Sequence, residues 1–371
     1  MNPTPTNPAP LPPVTPVSNK ASNPPTNSVA TNSNPNPKPK RLWLKILLWS
    51  LAGLFVVIVA VSLWFIMGLS AVRADVPVDG EIINIEKGSS IEAVASDLSS
   101  KNLIGDKNIF ILWSKLGPAH GKLLPGPYLI KPTSTIAQIV ADMAAGRVTM
   151  YKITYPEGIT VNEMAKRWSS AGYGSKDDYL AAAKKLSFDF DFIPQVSKTN
   201  PEGYLFPATY SFAPGSSAEV IVRKQYEAFR VQAEPLLNGS RPGNLSKLQV
   251  LTLASIVEKE ALTTADRKMV AGVFLNRLSQ NMSLESDVTV NYATGKTTTS
   301  PGDLSVNSPY NTYRVKGLPP TPINNPGTDS IMAVLSATPS DYIFFLAGKD
   351  GKVYYAKTLE EHNQNIKNHL N

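Results

Sequence analysis

The sequence predicts an α+β protein of four segments: a polar tail, one membrane-crossing helix, a small α+β module and a larger α+β domain. Three observations carry this. Residues 1–41 hold 12 prolines among Asn, Thr, Ser and Ala. Ile46 to Val72 is 27 residues without a charge. Beyond that run, short segments of period two alternate with segments of helical period. At 371 residues and 42% hydrophobic content the chain has room for two folded domains plus extensions.

The expected boundaries are 1–41, 42–72, 76–150 and 151–371. The first segment has hardly any large apolar side chain, so it cannot bury enough surface to offset its ordering entropy and reads as disordered. The second exceeds the ~20 residues needed to cross hydrocarbon about 30 Å thick. Trp43, Trp49 and Trp64 suit the two interfaces, and Lys38, Lys40, Arg41 and Lys45 precede the span while Arg73, Asp75, Asp79 and Glu81 follow it. The positive-inside rule then sets the tail in the cytoplasm and the rest outside. A cleaved signal peptide has a shorter apolar run and a shorter tail.

In the third segment, Glu81–Glu86 alternates as a strand and Ser89 is placed to cap a helix through Ile91, Val94, Ala95 and Leu98. A helix over Asn108–Lys115, a turn and strand over Leu124–Ile130, and a helix over Thr135–Ala145 closed by Gly146 follow. This order resembles the LysM-like wall-binding module, and a plain spacer above the membrane fits it equally. In the fourth segment, Tyr151–Tyr155 is a predicted strand and Thr160 leads a helix through Val161, Met164, Ala165 and Trp168. A long loop covers Pro201–Tyr210, and one helix is expected from about Ser217 to Leu237. Ser246–Leu262 is apolar almost all round from Leu248 to Val257, the mark of a buried helix. Val270–Leu278 is a further helix, and a polar, proline-rich loop runs from Ser308 to Gly327.

Net charge is +7, and residues 1–41 alone supply +4, leaving an ordinary +3 over the other 330 residues. Nothing there calls for nucleic acid. The chain has no cysteine and three scattered histidines, so neither disulfides nor a metal site is expected, and no cofactor is implied.

Glu258 and Glu260 close the buried helix. Two residues apart means about 200° of rotation, so the two carboxylates face different surroundings. Glu258 shares a stripe with Leu251, Ser255 and Leu262 and is the expected desolvated acid, since burial raises a carboxyl pKa toward the range a general acid needs. The competing reading pairs both glutamates with Lys259, Arg267 or Lys268 at a helix end. A Ser255–Lys259 dyad at i, i+4 is a second alternative, acting as a hydrolase on peptides. A non-catalytic wall-binding or scaffold protein is a third.

Several strings together resemble the MltG (YceG-like) family: Ala254–Glu260 (ASIVEKE), Val273–Leu278 (VFLNRL), Leu284–Val290 (LESDVTV), Tyr310–Tyr313 (YNTY), Gly317–Pro320 (GLPP), Glu202–Pro207 (EGYLFP) and Glu361–Asn363 (EHN). Glu285 and Val353 depart from the family pattern, which usually has Gln and His there. The resemblance implies an endolytic murein transglycosylase of the bacterial inner membrane. It implies peptidoglycan glycan strands as substrate, peptidoglycan synthases as partners and Glu258, the first glutamate of the string, as catalytic acid. The candidates for holding the strand are Asp287, Asn276, Asn311, Tyr313, Tyr292 and Glu202.

Overall fold

The computed structural model describes residues 40–69 and 76–370. Residues 1–39 of the expected disordered tail 1–41 lie outside the described residues, as do residues 70–75, whereas Lys40 and Arg41 are the first residues of a helix. Helix α1 (Lys40–Leu69) carries the apolar run, and Leu42–Leu69 is long and apolar enough to cross a membrane.

The chain then builds β1 (Glu81–Ile85), α2 (Ile91–Ser100), α3 (Lys107–Leu116), β2 (Gly126–Ile130) and α4 (Ile136–Ala145). Strands β1 and β2 pair antiparallel, with Ile83 opposite Tyr128. Ile83, Leu98, Phe110, Tyr128 and Met143 share one core under the helices. The cap of α2 is Ser90, one residue later than expected, because its hydroxyl is the one that reaches the N3 amide of Ala93. Thr135 and Gln138 form a reciprocal capping box on α4, and Gly146 ends it at φ 65°, a left-handed value that glycine adopts without a side-chain penalty.

The remaining elements are β3 (Tyr151–Thr154), α5 (Val161–Ser170), α6 (Lys176–Leu186), β4 (Thr209–Phe212), α7 (Ala218–Gln232), α8 (Glu234–Leu237), α9 (Lys247–Glu260), α10 (Thr264–Ser279), α11 (Asp287–Thr294), α12 (Thr328–Leu335), β5 (Phe344–Ala347), β6 (Val353–Ala356) and α13 (Leu359–His369). Two antiparallel hairpin-like pairs, β3–β4 and β5–β6, are the only sheets among these described residues. The helix expected from Ser217 to Leu237 is interrupted at Ala233, where Pro235 offers no amide to continue the ladder. The expected loop ends at Thr209, where β4 begins and pairs with β3. Helices α6, α11, α12 and α13 carry no expectation from the sequence.

Helix α9 is the axis of this part. Ser246 and Gln249 cap its start reciprocally, and Val250 to Val257 are buried without exception. It packs on α10, α11 and α12. Leu262 is 93% exposed, so it does not share the stripe of Glu258: the helix stops at Glu260 and Ala261 turns extended.

Candidate active site

Three backbone segments meet at the end of α9. Asn325, fully buried, ties them: its Oδ1 accepts from the amides of Gly203 and Leu205, both at 3.0 Å, and its Nδ2 donates to the Ile159 carbonyl at 3.0 Å. Residues 323–324 clasp α9 itself. Ile323 N donates to Ser255 Oγ at 3.0 Å, and Asn324 Nδ2 donates to the Ser255 carbonyl at 2.6 Å. Ser255 Oγ in turn donates to the Thr252 carbonyl at 2.7 Å. Its proton is committed to the backbone and the residue is fully buried, so Ser255 is no nucleophile beside the exposed Lys259.

The two glutamates face different surroundings. Glu258 accepts from Arg267 Nη2 at 2.8 Å and from Gly327 N at 3.0 Å, and its side chain is 5% exposed. Gly158 and Gly327 make room there: a Cβ on Gly158 would sit 3.2 Å from Glu258 Cγ, and one on Gly327 would overlap the Glu157 carboxylate. Glu157, raised first by burial and then by the charge of Glu258, completes this side. Pairing with Arg267 is the helix-end alternative that the sequence left open.

Glu260 has no cation. Its Oε1 accepts from Ser286 Oγ at 2.6 Å, and burial pushes its pKa up to about 6 against the Ser286 bond, with the Asp287 charge adding to the rise. The residue as a whole is half-buried, as Glu258 is. Asp287 opens α11 and accepts from Tyr313 Oη at 2.7 Å. Burial raises the Tyr313 phenol first, and the hydrogen bond to Asp287 and the charges of Asp287, Glu285 and Glu260 add to the rise. Arg277 holds the turn that leads to Ser286, donating to the carbonyls of Ser283 and Leu284 and pairing with Glu285 at 3.1 Å.

The other candidates divide. Tyr292, on α11, accepts from Asn200 Nδ2 at 3.1 Å and faces a cavity of about 780 Å³ between α5, α6, α11 and the end of α9. Glu202 lines that cavity too, but its carboxylate is spent on Val161 N at 2.7 Å and Asn325 Nδ2 at 2.9 Å, and burial pushes its pKa up to about 8. Asn276 donates to the carbonyls of Ser340 and Tyr342, and Asn311 to those of Leu304 and Val306. Both amides thereby hold chain segments in place. Ser286, Glu157 and Asn325 escaped the sequence reading as site residues, whereas Arg267 was named there as a helix-end partner. Ser286 and Asn325 stood inside quoted segments, yet only their partners give them roles. Among the described residues no group of three or more His, Cys, Asp and Glu is disposed to hold a metal.

A buried helix ending in two carboxylates, one ion-paired with Arg267 and one whose pKa burial raises to about 6, offers candidates for general acid–base work. The chain belongs to the YceG-like family, whose model matches residues 83–368. It is 35% identical over 302 residues to the endolytic murein transglycosylase of Bacillus subtilis, covering 76% of this chain and 82% of that protein. It is 30% identical over 321 residues to the enzyme of that name from Streptococcus pneumoniae D39, covering 78% of this chain and spanning 58% of that protein. A crystal structure of a yceG-like protein from Listeria monocytogenes matches with a TM-score of 0.51 at 37% identity, over 77% of this chain and 99% of that one.

Proposed function

We propose that this chain cuts the glycan strands of peptidoglycan from within, at the β-1,4 bond between MurNAc and GlcNAc. It is a lytic transglycosylase, a carbon–oxygen lyase that leaves 1,6-anhydroMurNAc ends. Glycoside cleavage usually takes two carboxylates; here the substrate's own C6 hydroxyl is the nucleophile. One carboxylic acid protonates the glycosidic oxygen as the C1–O bond breaks. The same group, now a carboxylate, takes the C6 hydroxyl proton as O6 bonds to C1. Protons and bonds balance, and no water is consumed.

We assign that acid to Glu260, the second glutamate of the string. The carrying observation is its environment: crowded by protein, bonded by the neutral Ser286 hydroxyl and without a cation in ion-pair reach among the described residues. Asp287, held by Tyr313, supplies the negative charge that faces the oxocarbenium-like state, and Tyr292 contacts the strand. Asn276, Asn311 and Glu202 frame the cleft from behind. Glu258, the first glutamate, is the second reading. Both of its oxygens are already engaged, one by Arg267 and one by the Gly327 amide, which weighs against that role.

Helix α1 anchors the chain in the cytoplasmic membrane with its N-terminus inside and the site outside. The 76–150 module is a LysM-like wall-binding unit, and peptidoglycan synthases in the same membrane are the fitting partners. Mass spectrometry of purified glycan strands treated with the full-length protein tests the reaction. Internal fragments with 1,6-anhydro ends, lost with Glu260→Gln and retained with Glu258→Gln, are expected. The reverse pattern moves the acid to Glu258, and reducing-end products from the unaltered protein defeat the lyase reading.

A further inference from the structure

The C-terminal end of α1 is not free. Phe65, Gly68 and Leu69, on one face of its last turns, are half-buried, and Phe65 and Leu69 pack against the Val76–Met143 core. Their contact there is α3. The Phe65 and Trp113 rings lie 6.0 Å apart at 54°, and Gly68 leaves room for Ile109, whose side chain a Cβ at Gly68 would overlap. Phe65 stands four residues before Leu69, where the apolar span ends, or about 6 Å inside it. Whatever touches Phe65 therefore sits at the level where such a span meets headgroups.

The surface of α3 continues this contact. At about 100° per residue, Leu112, Leu116, Ile109 and Trp113 fall side by side on one stripe of the helix. Ile109 and Trp113 form the half that meets α1. Leu112 and Leu116, one turn apart, form the other half at 42% and 77% exposure. Among the described residues, 76–150 expose four large hydrophobics, the other two being Val78 and Met150, so two neighbours on one stripe differ from scattered surface apolar residues. From Lys107 to Lys122 the chain has three lysines and no acid. Lys115 pairs with Glu92, and Lys107 and Lys122 are exposed without an ion-pair partner among the described residues. An apolar edge with Trp beside it and lysines around it is the pattern of a helix lying in a membrane interface.

We infer that α3 is an interfacial helix, whose Leu112–Leu116 edge seats in the phospholipid leaflet from which α1 emerges and holds the 76–150 module down on the bilayer. The inference rests on the reading of α1 as a membrane span and goes beyond anchoring, because it gives the module a fixed side toward lipid. Continuity selects this occupant. The stripe runs unbroken from the contact with Phe65 and Gly68 to Leu112 and Leu116, so the lipid that surrounds a span at Phe65 reaches both leucines without a further partner. That side of the module is then closed to glycan, and a wall-binding role falls to its other surfaces.

The chain has no cysteine, so an introduced one reports a single position. Full-length protein carrying Leu112→Cys, Leu116→Cys, Val57→Cys or Lys184→Cys is labelled with a polarity-sensitive fluorophore and reconstituted in vesicles of phosphatidylethanolamine and phosphatidylglycerol. The four sites are exposed on the protein, so the labels leave its core intact. Labels at 112 and 116 are expected to emit as in an apolar medium. Spin-labelled lipid is expected to quench them severalfold more than the label at 184 on α6, and the label at 57, in mid-span, as strongly or more. Water-like emission at 112 and 116 beside a lipid-quenched label at 57 overturns the inference and leaves the span standing. Apolar emission at 112 and 116 without lipid quenching also overturns it, since a second copy or another protein then covers the face. A water-like label at 57 defeats the span, and the inference falls with it.

Discussion

At the scale of single residues, two glutamates of the same type acquire opposite properties from their neighbours. A general acid must hold its proton, and Glu260 does so only below a pKa of about 6. The pH profile of kcat/KM is therefore expected to fall above about pH 6, and a flat profile from pH 5 to 8 would remove Glu260 from the role. Stability sorts the pair in the same way. A neutral amide relieves the cost of an ionised Glu260, so Glu260→Gln is expected to melt no lower than the parent at pH 7.5. Glu258→Gln strips Arg267 of its buried partner, a loss that reaches about 3–5 kcal/mol when no acceptor remains, and is expected to melt lower. Glu202 has its folded pKa raised to about 8, so it favours the folded state fully below its unfolded value and loses that contribution as pH rises through 8. Thermal melts between pH 5 and 8.5 are expected to show this fall, and Glu202→Gln to flatten it.

At the scale of elements, helix α9 was readable because an all-apolar run with a Ser246–Gln249 cap has few other solutions. Its neighbours were harder. Helix α11 starts at Asp287 with β-branched and aromatic residues, so its helical state follows from packing against α9 and not from propensity. Helix α12 follows Pro-Gly and is short enough to read as more loop. The same limit hid the site. The string containing Glu258 and Glu260 was plain, but which of them meets Arg267 and which meets Ser286 depends on residues 9 and 26 positions away. No local pattern encodes such partners. Ser255 illustrates the reverse case, where an apparent dyad dissolves once the backbone takes the hydroxyl. Ser255→Ala is expected to cost about 1–3 kcal/mol in urea unfolding, by orphaning the Ile323 amide, and to keep cleavage at the parent's order of magnitude. Complete loss of cleavage in a folded Ser255→Ala protein would revive the hydrolase alternative.

At the scale of the whole molecule, the described residues beyond α1 hold two hydrophobic clusters with no member in common, one from Val76 to Met143 and one from Ile153 to Val334. The sequence reading set a boundary at 150/151 from the Gly146 stop and the strand that follows at Tyr151, and it could not show that each sheet has just two strands. Separate cores imply separable damage. Leu98→Ala, at a fully buried position of the first cluster, is expected to cost about 2–5 kcal/mol there. Hydrogen exchange should then accelerate in β1, α2, α3, β2 and α4 while α9 and α10 keep their protection. Equal loss of protection in α9 would show that the two cores unfold as one.

On the proposed assignment, the placement of Glu260 as the final residue of α9 makes helix length a catalytic variable. Each residue of α-helix advances 1.5 Å and turns 100°, so one residue inserted or deleted between the Ser255 clasp and Glu260 would swing the carboxyl away from Ser286, in opposite senses for the two changes. The Asn238–Leu245 connection before the cap has no such arithmetic to satisfy. Evolution is thus free to lengthen the lead into this helix, while the five residues after its anchor behave as a fixed-length spindle whose last notch sets the reaction.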